Sequence, residues 1–229
     1  MKSNAEIRQQ ARQAFANQRG TAILLSFVLI LSSWASTILD LIVAFLLGQG
    51  VVYWIVYTAG LFVIYVMGIN LLGEYVKIWT GKPASVSALF TELKVNFLRK
   101  LGGLLWQMLW ISLWSLLFII PGMIKSLSYF FTPNILADCP NVTATEALKI
   151  SMRITRGYKW RIFLFVLSFF GWFLLSALTL GILGIVYVLP YFYTADAGLY
   201  LELREDALNN GRITYKDLGM EADLGIMKG

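Results

Sequence analysis

Asp196 is the first place to look for chemistry in this chain. It stands in the long apolar stretch from Ile162 to Leu203, where the other charged residue is Glu202 at the very end. Tyr193 and Tyr200 lie one helical turn away on either side. Pro190 upstream leaves the carbonyl of Val186 without its helical partner. An acid in such surroundings is costly, and by default it suggests a ligand, ion or proton site. The plainer alternative is a carboxylate bonded to its tyrosines or reaching interfacial water. Lys125 and Asp40 also interrupt apolar runs, both expected toward the outer side. They could pair across a bundle, or end in the headgroup region, where a lysine stem can snorkel. Trp106, Trp110 and Trp114 recur every fourth residue and share one helix face. Such a row can stack a ligand, though facing lipid or packing between helices is its commoner use. Asn70 and Asn134 read as interhelical hydrogen bonders.

Other chemistries lack their residues. The chain has no histidine, and therefore neither the usual metal ligand nor the usual general base. Its single cysteine, Cys139, allows no internal disulfide and no Cys/His zinc site. Gly102-Gly103 lacks the surroundings of a phosphate loop. No enzyme activity, metal or cofactor is expected.

The elements that must position these residues are membrane helices. Of 229 residues, 58% are hydrophobic and 14% charged, with mean hydropathy +0.69. Soluble domains run about 45–50% apolar and about 25% charged. A helix needs about 20 apolar residues to cross a bilayer core. Six candidates follow: about 21–42, 51–72, 101–120, 123–137, 162–178 and 182–203. The fold expected is all-α, a polytopic membrane protein of about six transmembrane helices in three hairpins. Pro121-Gly122 is expected to end the third helix. The fourth, Met123–Ala137, is short and contains Pro133, and could be kinked or re-entrant. Tyr53, Trp54 and Tyr57 are expected near one interface of the second helix, Tyr75 and Trp79 near the other.

Each hairpin is preceded by an amphipathic segment. Ser3-Asn4-Ala5-Glu6 and Thr143-Ala144-Thr145-Glu146 both fit a capping box, and Val86, Leu89, Phe90, Leu93 and Phe97 follow helical spacing. These three surface helices suggest an internal repeat. The domain reading is an interfacial helix over 1–20 and a transmembrane domain over 21–203, with cytoplasmic loops 73–100 and 139–161. A polar tail, expected to be partly disordered, fills 204–229.

Charge sets the orientation. The net charge of +6 comes from 19 Lys and Arg, and on this topology all but Lys125 face the cytoplasm. Positive loops stay inside, so both termini are expected there. Arg153, Arg156, Lys159 and Arg161 form a basic membrane-surface set. The basic balance follows from this rule and does not call for nucleic acid.

Several strings recur together: Ile120-Pro121-Gly122-Met123-Ile124-Lys125, Pro133-Asn134-Ile135-Leu136-Ala137-Asp138, Glu146-Ala147-Leu148-Lys149-Ile150-Ser151, Gly157-Tyr158-Lys159-Trp160, Leu178-Thr179-Leu180-Gly181-Ile182 and Pro190-Tyr191. This pattern resembles the bacterial integral-membrane family called domain of unknown function 975. The resemblance implies a bacterial plasma membrane and brings no agreed activity or catalytic residues. The function expected is a non-enzymatic helper, regulator or immunity-type factor that binds lipids, another membrane protein or a second copy. The rival is a small transporter or channel for a lipid-like or amphipathic molecule, with Asp196 and its tyrosines lining the path.

Overall fold

The computed structural model describes residues 2–220. Among the described residues the chain is all helical, with no strand. The helices are α1 (Asn4–Asn17), α2 (Arg19–Leu47), α3 (Val51–Trp79), α4 (Ala88–Thr91), α5 (Phe97–Leu117), α6 (Ile119–Ser128), α7 (Thr132–Asp138), α8 (Ala144–Ile154), α9 (Lys159–Leu167), α10 (Phe170–Leu178) and α11 (Leu189–Asn209). Three stretches are long and apolar enough to cross a membrane: α2, α3 and the Lys159–Leu178 run formed by α9 and α10. These fit a membrane protein.

Helices pair antiparallel across short turns. α2 turns into α3 at Gly48–Gly50, and Ser36 faces Gly60 across the pair. α5 turns into α6 at Phe118, whose extended backbone (φ −159°, ψ 146°) breaks the helix. Pro121-Gly122 is therefore not the stop that the sequence suggests. Pro121 lies in the first turn of α6, where its missing N–H costs nothing. Gly122 lies against Ser115, whose Cα would be 2.9 Å from an added Cβ. α10 turns at Leu180-Gly181, both at positive φ, and Ser176 then faces Gly184. A small residue facing a serine thus recurs in all three pairs, which lets backbones approach closely.

Three expected helices are broken: the fifth divides into α9 and α10 at Ser168–Phe169, and the other two breaks lie near a proline. The segment expected as a fourth span divides into α6 and α7. Pro133 occupies the first turn of α7, which begins a new helix after the bend at Tyr129–Phe131. In the last expected span, residues Gly184–Val188 form a π-helical turn just before Pro190, with Leu189 N–H bonding Gly184 O. A proline cannot complete the ordinary ladder, and a wider turn is one way to accommodate it. α11 then continues past the expected Leu203 to Asn209. Residues 210–220 remain packed, with Ile213 and Leu218 buried. Residues 221–229 of the expected tail lie outside the described residues.

The surface segments differ most from expectation. α1 forms with its capping box, but Ile7, Ala11 and Phe15 are buried against the protein. Phe15 meets the Tyr187 ring at 6.0 Å, and Arg12 lies 5.4 Å from the Tyr191 ring centre. α1 thus runs along α11, because that helix offers a ready apolar face. The helix expected over Val86–Phe97 shrinks to α4. Asn96 adopts the left-handed conformation (φ 58°), which asparagine tolerates best after glycine, and α5 starts behind it. α8 forms with its capping box intact, and Gly157 (φ 87°) follows it.

Burial is uneven along the helices. The core gathers residues from α1, the second half of α3, α7, α8 and α11. The turns at the other end are bare: Phe45 is 88% exposed, Phe118 70% and Leu180 93%. Tyr75 belongs to the core, not to an interfacial belt. It is fully buried, its hydroxyl donates to Ala22 O at 2.8 Å, and it pairs with Ser26 Oγ at 2.8 Å. Trp79 is seated on Gly198, where an added Cβ would stand 2.4 Å from the indole.

Candidate functional site

Two six-residue strings place the buried polar groups. Tyr129-Phe130-Phe131-Thr132-Pro133-Asn134 leads into α7, and Tyr191-Phe192-Tyr193-Thr194-Ala195-Asp196 lies on α11. α3 has the looser counterpart Tyr65 to Asn70. The polar residue that ends each string is buried: Asn70, Asn134 and Asp196 are 1%, 2% and 4% exposed. The first two strings share three aromatic residues, a threonine and a closing Asn or Asp in the same order.

These groups tie helices together. Asn134 donates its side-chain amide to Asp196 Oδ2 at 2.8 Å. The partner of Asp196 is therefore an asparagine from α7, not a tyrosine; Oδ1 has no protein partner. Tyr193 instead lies against Tyr75, ring centres 5.4 Å apart. Tyr200 donates to Asp138 Oδ2 at 3.1 Å, and Arg204 pairs with the same oxygen. Asn70 donates to Leu89 O at 3.1 Å and accepts from Lys100 Nζ at 2.5 Å. Lys100 is itself buried, with Glu92 3.5 Å away. Asn70 and Asn134 are the interhelical hydrogen bonders that the sequence suggests; it did not reveal the partner of Asn134 or the roles of Lys100 and Arg204.

Arginines close helix ends. Arg99 donates to Leu136 O and Val142 O at 2.6 Å each and to Cys139 O at 3.1 Å, covering one carbonyl in the last turn of α7 and two in the turn beyond it. Arg212 does the same at the end of α8, reaching Arg153 O and Ile154 O at 3.3 Å and Arg156 O at 2.9 Å. Cys139 is buried here, and burial pushes its thiol up to about 12. That holds it in the unreactive protonated form at neutral pH.

The basic set divides. Arg153 forms an ion pair with Asp217 at 3.4 Å, and Arg161 binds Asn4 Oδ1 at 3.1 Å. Arg156 is exposed and Lys159 half-buried. Asp40 is half-buried on α2 and forms no ion pair with Lys125.

Lys125 is found elsewhere. Its ammonium lies 4.9 Å from the Trp114 ring centre and 5.8 Å from that of Tyr129. Trp114 forms one wall of a groove of about 490 Å³ with Trp106 and Trp110. Trp106 and Trp110 meet edge to face at 6.0 Å, and all three indoles remain 36–40% exposed. α8 forms the opposite wall through Leu148, Met152, Thr145 and Lys149. Ser151 and Thr155 of α8 both donate to Ser128 O, one turn beyond Lys125, at 2.9 and 3.2 Å. Lys125 is therefore not remote from the basic 139–161 segment but shares a groove with its Lys149. A groove of this size is large enough for a small ligand.

A family described as "Protein of unknown function (DUF975)" matches residues 105–207. No curated protein and no solved structure matches the chain.

Proposed function

From the match of residues 105–207 to the DUF975 family, we propose that the chain is a multi-pass, non-enzymatic membrane protein that works by binding. In this reading the three helix pairs are transmembrane hairpins, six spans in all, with both termini in the cytoplasm. The role is that of a helper, regulator or immunity-type factor acting on lipids or on another membrane protein. One observation carries the proposal. The buried polar side chains are engaged in tying helices to one another, while the tryptophan groove with Lys125 and Lys149 stays open.

Reporter fusions test the topology. Fusions in the turns at 48–50, at 118 and at 180–181 should read outside; fusions near 82, near 141 and at the chain end should read inside. Reversing Arg153, Arg156 and Lys159 to Glu should weaken assembly or invert the neighbouring hairpin. Unchanged insertion would remove the charge argument for the inside placement of that loop.

A second reading has its own support. Asp196 Oδ1 is buried without a protein partner, as a site for a transported cation or proton would require. A transporter of an amphipathic molecule should lose flux in reconstituted vesicles on Asp196→Asn while keeping its melting temperature. A binding protein should show no such flux.

A further inference from the structure

We propose that the groove between α5 and α8 binds the phosphate headgroup of an anionic phospholipid from the surrounding bilayer. This deepens the proposed binding role and rests on it. The groove carries two cations, Lys125 and Lys149, and no acidic residue lines it. Neither lysine is in a salt bridge among the described residues. Glu146, one turn from Lys149 and within its electrostatic reach, is held in the capping box of Thr143 and does not line the groove. The charge on the groove thus calls for an anion.

The walls call for an amphipathic one. Trp114 and Tyr129 hold the Lys125 ammonium over their ring faces, a contact that supplies no counter-charge. Tryptophans with one half in contact and one half open suit the headgroup level of a bilayer. Beyond the groove, α5 presents Leu105, Met108, Leu109 and Leu113 as exposed apolar surface for acyl chains. A phosphate near the two lysines would leave the chains along that surface. Thr145 adds a hydroxyl on the α8 wall.

The test uses the full chain in vesicles. Tryptophan fluorescence is quenched with brominated phosphatidylglycerol and, in parallel, with brominated phosphatidylcholine at equal fractions. Wild-type protein should be quenched more steeply by phosphatidylglycerol. Lys125→Gln with Lys149→Gln should remove that preference, about fivefold for each lysine. Lys82→Gln with Lys94→Gln removes the same charge outside the groove and should leave the preference intact. Lys125→Arg should also retain it. If the glutamine pair melts early, Lys149→Gln alone carries the test, because Lys149 is exposed. Equal quenching by both lipids, or equal loss in both lysine pairs, would overturn the proposal. So would competition by millimolar inorganic phosphate, which would mark a soluble ligand. The reporter fusions read the spans whatever the lipid preference, so failure here is distinguishable from failure of the topology.

Discussion

Asn134 on α7 donates to Asp196 on α11 at 2.8 Å, and the two residues end matching strings of sequence. The carboxylate has no other protein partner. Asn134→Ala should therefore leave a buried acid unsupported, at a cost of about 1–3 kcal/mol. Asp196→Asn retains an acceptor oxygen and should melt close to wild type. Thermal melting in detergent checks both, and an unchanged Asn134→Ala protein would mean that the contact contributes nothing.

The three glycines facing serines should not respond alike. At Gly60 and Gly184 an added methyl meets chiefly a serine Oγ, which can rotate away. At Gly122 it also meets the Cα of Ser115 at 2.9 Å, which cannot. Gly122→Ala should destabilise by about 1–3 kcal/mol. Gly60→Ala should be tolerated, and helped by alanine's better helix propensity of up to about 1 kcal/mol. A reversed order would contradict the hairpin packing.

Arg99 covers three carbonyls with one planar group. Lysine cannot reproduce that fork. Both Arg99→Ala and Arg99→Lys should lose about 2 kcal/mol, with faster hydrogen exchange confined to 135–143. Full rescue by lysine would reduce the role of Arg99 to charge alone.

Cys139 gives a pH test. The fold raises its thiol from an ordinary value of about 8.5 to about 12. A raised value means that the folded state holds the proton more tightly than the unfolded one. This contribution is complete below about 8.5 and is lost as pH rises from there toward 12. Stability should fall more steeply between pH 8.5 and 10.5 in wild type than in Cys139→Ala. Maleimide should label Cys139 slowly in the folded protein and at once after unfolding.

What the sequence made legible was the all-helical class and its long apolar runs, because these depend on local signals. The apolar run of α2, the capping boxes of α1 and α8 and the turns at Gly48–Gly50 and Leu180-Gly181 are each written in adjacent residues. Long-range packing was not. Nothing in Ile7, Ala11 and Phe15 distinguishes a stripe that faces lipid from one that faces α11, since both partners are apolar. The same ambiguity moved Tyr75 from the expected interface into the core. For Asp196 the nearby tyrosines were visible, but Asn134, distant in sequence, supplied the hydrogen bond. The row of tryptophans on α5 was legible at once, whereas the second wall from α8 required the fold.

The unequal burial along α2 and α3 has a mechanical consequence. These helices are fixed at their packed ends, while the turn between them projects about 25–33 Å beyond the last buried residues, Ser26 and Val66. A rotation of about 5° at the packed end would carry the turn through about 2–3 Å. Slight adjustments where α1 lies on α11 would thus be magnified into displacements at the opposite face, making each helix pair a lever with its fulcrum in the core.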